Sequence, residues 1–207
     1  MEADIGRRRL ILGLGAALTG VGAGAFAPEL ALAAGPDAPT QRALFARATR
    51  ELGRLGTAIQ HRDVVGVCDF AAASRAPRFH ILDMKSGKVS SLLVAHGKGS
   101  DPDHKGWVQR LSNVVGSEAS SEGAYRTGAY YVGKHGRSMR LKGLDRTNDN
   151  AEQRAIVVHA ASYVSLGMVR AHGKLGRSQG CFAFCGADLD QVMTRLGPGR
   201  LLLATKA

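Results

Sequence analysis

The sequence predicts a mostly β domain of the sandwich or barrel-like kind, carrying a few helices and preceded by an N-terminal signal and an amphipathic helix. Three observations support this. Short runs rich in Val, Ile, Leu and Tyr recur along most of the chain, Gly, Ser and Asn punctuate them, and only two stretches show helical spacing. A chain of 207 residues has room for one well-buried domain and a terminal arm. The expected division is an export segment over 1–33, an arm with a helix over 34–60 and the main domain over 61–207.

The export segment is read from GRRRLILGLGAALTGVGAGAFAPELALAA. A basic head leads into an apolar stretch rich in Gly and Ala, and the small residues Ala31-Leu32-Ala33 follow in the A-x-A pattern. Arg7-Arg8, one further residue and Leu10-Ile11 resemble a twin-arginine signal, which passes folded proteins across a bacterial inner membrane. Cleavage near Ala33 or Ala34 implies an exported protein of the periplasm or cell envelope, with no stable membrane anchor afterwards.

The arm follows. TQRALFARATRELGRL, from Thr40 to Leu55, places Leu44, Ala48, Leu52 and Leu55 at helical spacing, with Pro36 and Pro39 ahead and Thr40 as its cap. Strands are expected at DVVGVCDF, RFHILDM and VSSLLVAHG, the last two joined by a turn over Lys85 to Lys88. Others are expected at GAYYVGK, SMRLKGL, RAIVVHA and GRLLLATK. A second helix, Ala187 to Leu196, ends at Gly197-Pro198-Gly199. The polar, glycine-bearing segment from Gly97 to Gly123 reads as long surface loops bordering a cleft, and it lacks the glycine spacing of a phosphate loop.

The formal charge is +11, and loss of residues 1–33 removes three arginines together with three acids, so the exported chain keeps it. In an envelope the anions within reach are wall polymers and lipid head groups. Export and an aromatic content of 5% argue against nucleic acid. Cys68, Cys181 and Cys185 make an odd set with no CxxC pair, which argues against a metal site, and no cofactor is expected. Cys68 and Cys185 are either a disulfide pair or two small buried hydrophobes.

Cys181 stands apart in GRSQGCFAF. A thiol attacks a carbonyl as thiolate, so it needs an imidazole to take its proton and N–H groups to hold the developing oxyanion. Gly180 permits close approach of a substrate to the backbone. Of seven histidines, His159 is best placed, because it ends the apolar run Ala155-Ile156-Val157-Val158 on a rigid strand. His172 lies in a glycine-bearing loop, and His80 reads as a packed strand residue.

Taken together, IVVHAASYVS and GRSQGCFAF resemble the L,D-transpeptidases, the YkuD-type cell-wall enzymes, in the variant that spells its cysteine segment G-R-S-x-G-C. CDFAAASRAPRFHILDMKSGKV, LVAHGKGS, SEGAYRTGAYYVGKHGRSMRLKGLD and NDNAEQRAIVVHAASYVS extend the resemblance from Val64 to Leu203. It implies a mostly β fold and acyl transfer on peptidoglycan stem peptides. Cys181 would be the nucleophile, His159 the general base, the Ala160 carbonyl its orienter, and the Gly180 and Cys181 amides the oxyanion donors. The acceptor would be an amine of a second stem, an amine of an envelope protein, or water. The commoner motif is S-H-G-C with a nearby Arg or Asn. Here Gln179 replaces that histidine, so Arg177 or Arg140, with Ser178 and Gln179, is expected to bind substrate. The rival readings are a non-catalytic wall-binding module on the same fold and a cysteine endopeptidase of unrelated type.

Overall fold

The computed structural model describes residues 35–206, so the export segment expected over 1–33 lies outside the described residues. No helix among them is long and apolar enough to cross a membrane.

Helix α1 spans Ala38–Leu55 and buries Leu44, Ala48 and Leu52. Its cap is Asp37 and not Thr40: the Asp37 carboxylate accepts the Thr40 N–H at 2.9 Å, three residues upstream of the expected position. Asp37 has the extended backbone of a cap, and Pro39 fits in the first turn, where no N–H is required. The buried stripe lies on Ile59, Val65, Val67, Leu82, Ala124, Leu201 and Leu203, so the arm shares a core with the domain. Each fully buried leucine there contributes on the order of 2 kcal/mol.

The strands are β1 Val64–Asp69, β2 Phe79–Asp83, β3 Val89–Leu92, β4 Gly123–Gly133, β5 Gly136–Gly143, β6 Val157–Ala160, β7 Phe182–Phe184 and β8 Leu201–Thr205. They form one sheet in the order β3-β2-β1-β8-β4-β5-β6-β7. Pairing is antiparallel except for β1 with β8 and β6 with β7. The sheet curls until its ends meet. Just past β3, Ala95 donates its N–H to the Ala183 carbonyl of β7 at 3.0 Å, and Gly97 bridges Ser178 beyond it. This closure is the barrel-like feature that many short strands imply.

The second core fills the other face of the sheet. Helix α3, Gly186–Leu196, lays Leu189, Val192, Met193 and Leu196 against Phe79, Ile81, Tyr125, Met139 and Val158. The Phe182 ring meets Tyr125 edge-on with centroids 5.5 Å apart, and Phe184 meets Phe79 edge-on at 4.8 Å. Phe182 and Phe184 point to one face of β7, and the Tyr125 and Phe79 rings hold the strand from that face. Cys68 is sealed in this core, where burial pushes its thiol up to about 12. Cys185 precedes α3, and both thiols are free, so the disulfide alternative is not realised.

Two elements go beyond the sequence reading. Helix α2, Leu166–His172, is capped by the Ser165 hydroxyl, which accepts the Met168 N–H at 3.1 Å, and it ends at Gly173. Strand β4 begins at Gly123, five residues earlier than GAYYVGK suggests. The segment over 97–123 is long and irregular, as expected, but it is anchored: Arg154 donates to the Ser112 carbonyl at 2.6 Å, to Ser121 Oγ at 2.8 Å, and to the Ala119 carbonyl.

Candidate active site

His159 lies on β6, and Cys181 immediately precedes β7, which runs parallel to β6 with Val158 opposite Phe182 and His159 opposite Ala183. Both side chains line one cleft of about 420 Å³, whose walls include Tyr131, Lys134, His135 and Tyr163. His159 is 2% exposed, flanked by Ser138 of β5 and Ala183 of β7. Its Nδ1 is 2.8 Å from the Ala160 carbonyl, so Nδ1 holds the proton and Nε2 is the basic nitrogen. The His135 ring lies on its face, with centroids 4.2 Å apart and 19° between the planes.

The Cys181 thiol is half-buried and donates to the Ala155 carbonyl, with sulfur and oxygen 3.5 Å apart. Ala155 has a φ of 52°, a left-handed conformation that costs a non-glycine residue about 1 kcal/mol. The strain sits on the residue whose carbonyl holds the thiol. Burial raises the Cys181 thiol above its ordinary value, against the opposing pull of the Val157 amide and of the Lys134 and Arg154 charges. Burial also lowers His159, reinforced by His135 and Lys134 and opposed by the Ala160 carbonyl. Both shifts disfavour charge. The resting cleft thus holds a neutral thiol and a neutral imidazole, which suits a base that takes a proton only as attack begins.

The cysteine segment is positioned by its own serine. Ser178 donates its N–H to the His96 carbonyl at 2.9 Å and its hydroxyl to the Cys181 carbonyl at 2.8 Å, and its Oγ accepts the Gly180 N–H at 3.1 Å. Gly180 sits at φ +116°. A Cβ there would come within 2.7 Å of Ile156 Cδ1 and 2.8 Å of the Ala119 carbonyl. Behind the segment, the fully buried Arg78 donates to His96 Nδ1 at 2.7 Å, and His96 Nε2 faces Asp101 Oδ2 at 3.3 Å. Burial, and after it the Arg78 charge, lowers His96 to about 4, so it stays neutral and donates to Asp101. Burial also works against the Asp101 carboxylate, but the Lys105 and Gly106 amides and His96 outweigh it and hold it below the usual range.

A family model of the L,D-transpeptidase catalytic domain matches residues 38–204. The chain belongs to that family. Several solved structures are similar to the chain at low identity. The L,D-transpeptidase from Mycobacterium smegmatis shares 13% identity at a TM-score of 0.41, over 69% of this chain and 58% of that one. An L,D-transpeptidase from Mycobacterium tuberculosis H37Rv shares 15% at 0.41, over 70% and 58%. The helical cell shape determining protein Pgp2 from Campylobacter jejuni shares 10% at 0.44, over 69% and 47%. The chain thus spans less than two thirds of the length of those relatives. No curated protein matches it.

The residues expected to form the site do not all converge. Cys181, His159, Arg177, Ser178 and Gln179 line the cleft. Ala160 meets His159 Nδ1 as expected. Gly180 shapes the turn, but its amide is engaged by Ser178 Oγ, which corrects its expected use as an oxyanion donor. Arg140 is outside the cleft lining; its guanidinium lies 4.5 Å from the Tyr131 ring centroid, and that ring, not Arg140, faces the cleft. Arg177 lines the cleft, but its Nη1 donates to the Asp101 and Pro102 carbonyls of the scaffold. Gln179 donates to Glu118 at 3.2 Å.

Tyr131, Lys134, His135, Arg154 and Tyr163 were missed. A signal existed for two of them. Lys134-His135 stands between Gly133 and Gly136, in the gap between two strand-like runs, as a two-residue hairpin turn does. Among the described residues, no three His, Cys, Asp or Glu side chains gather so as to hold a metal ion.

Proposed function

We propose that this protein is exported to the cell envelope and carries out acyl transfer on peptidoglycan stem peptides with Cys181 as nucleophile. One observation carries the reading: His159 on β6 and Cys181 just ahead of the paired strand β7 line one cleft, with the His159 ring held by the Ala160 carbonyl through the nitrogen that does not serve as base.

The Cys181 proton passes to His159 Nε2 as the sulfur attacks the carbonyl of the third stem residue. The Cys181 amide supports the oxyanion, since the Gly180 amide is engaged elsewhere. Collapse expels the terminal D-residue as an amine, which takes the proton back from His159 and leaves a thioester on Cys181. An acceptor amine, from a second stem or an envelope protein, then gives a proton to His159 and attacks the thioester. The new amide bond forms as the Cys181 thiolate leaves and recovers that proton. Water in place of the amine gives trimming.

The test uses the chain without residues 1–33 and a disaccharide tetrapeptide. Release of the terminal D-residue, with a thioester mass increment on Cys181 that is absent in Cys181→Ala, is the expected result. Neither release nor increment at any substrate concentration overturns the reading.

A further inference from the structure

The cleft lining carries three fixed cations, Lys134, Arg154 and Arg177, beside two histidines, and no aspartate or glutamate. A partly enclosed site with that imbalance concentrates anions. Two of the cations are anchored. Arg154 fans out onto the Ser112 and Ala119 carbonyls and Ser121 Oγ, and Arg177 onto the Asp101 and Pro102 carbonyls. The nearby carboxylate outside the lining, Glu118, is occupied by Lys98 at 2.8 Å and Gln179 at 3.2 Å.

Lys134 differs from all of these. It sits exposed on the turn between β4 and β5, and among the described residues it takes part in none of the ion pairs. Its charge bears on both reacting side chains, opposing the rise of Cys181 and adding to the fall of His159. An ammonium on a flexible stem can follow a ligand that the two anchored guanidiniums cannot.

We infer that Lys134 recognises a free carboxylate carried by the acyl donor within one residue of the carbonyl that Cys181 attacks. The inference rests on the acyl-transfer reading above and assigns the residue that selects the donor by its charge. It also transfers to Lys134 the carboxylate-pairing role that the sequence suggested for Arg177 or Arg140. The two anchored cations supply background field. Lys134 supplies the contact that distinguishes an acid from its amide.

The experiment compares three tetrapeptide donors: the free acid, the same peptide amidated at its C-terminus, and the same peptide amidated at the third residue's side-chain carboxylate. Turnover is measured for the wild type, Lys134→Met and Lys134→Arg. Peptide binding is measured by calorimetry in the Cys181→Ala background, with and without Lys134→Met. The wild type is expected to favour the free acid over one of the amides roughly tenfold, as one charge-assisted contact implies. Lys134→Met brings that ratio close to one, and Lys134→Arg retains most of it. Raised salt shrinks the ratio in the wild type.

Equal handling of all three donors by the wild type overturns the inference, as does full discrimination in Lys134→Met. Because binding is read apart from turnover, discrimination in the Cys181→Ala protein with no turnover in the wild type would sink the acyl-transfer reading alone. A lack of discrimination beside normal turnover sinks only the role of Lys134.

Discussion

The imidazoles of His135 and His159 lie face to face, 4.2 Å between centroids, so the expected base is fixed by a carbonyl at its edge and a ring on its face. His135 acts as a positioning residue. Replacing it with alanine frees the His159 ring and removes an electrostatic contribution that helps lower it. The expected result is a fall of about tenfold in kcat with KM nearly constant, because a misaligned base loses near-attack geometry. The acid limb of the rate profile also moves to higher pH, since a less depressed imidazole protonates sooner as pH falls. His135→Phe restores the ring but not its electrostatic contribution, so kcat recovers while the shifted limb remains. A role in folding alone predicts no such separation, and coincident behaviour of the two variants would count against this account.

The resting neutral pair has a pH signature. His159 is held below its ordinary 6.5, so it remains an unprotonated base at neutral pH, and loss of activity on acidification begins below that value. Cys181 is held above its ordinary 9.0, so the proton needed by the leaving amine persists until the pH rises beyond that value. A broad plateau of kcat/KM between these limits is expected, with the two limbs belonging to the pair and not to either residue alone. Thiolate absorbance at neutral pH in the free enzyme would contradict the neutral ground state.

At Gly180, alanine meets both a φ of +116° and contacts closer than 3 Å to Ile156 and the Ala119 carbonyl. Backbone strain and overpacking together cost about 2–4 kcal/mol. Melting is expected to fall by about 5–10 °C for a domain of this size, and activity to be lost with it. A melting temperature within about 2 °C of wild type would show that the turn relaxes.

Much of the frame is legible in the residues themselves. The Leu44, Ala48, Leu52 stripe marks α1, and the apolar runs mark seven of the eight strands. Strand β7 escapes because its three residues are too few to show a period, and rings from β2 and β4 hold it in place. Asp37 displaces Thr40 as the cap because backbone geometry decides between two eligible side chains three positions apart. Cys181 and His159 are legible because strand ends deliver them. The engagement of Gly180 by Ser178, and of Arg177 by the 101–102 carbonyls, depends on pairings across the fold that no local pattern encodes.

The joining of Ala95 to Ala183 and of Gly97 to Ser178 also bears on when the site comes into being. Loop entropy must be overcome before such distant segments can reward one another, so contacts of this kind tend to form late. Pairing of β7 with β6 brings Cys181 and His159 to one cleft, and the meeting of the sheet's ends then locks the segment that carries Cys181, so on the proposed reading a half-folded chain has a cysteine but no working centre.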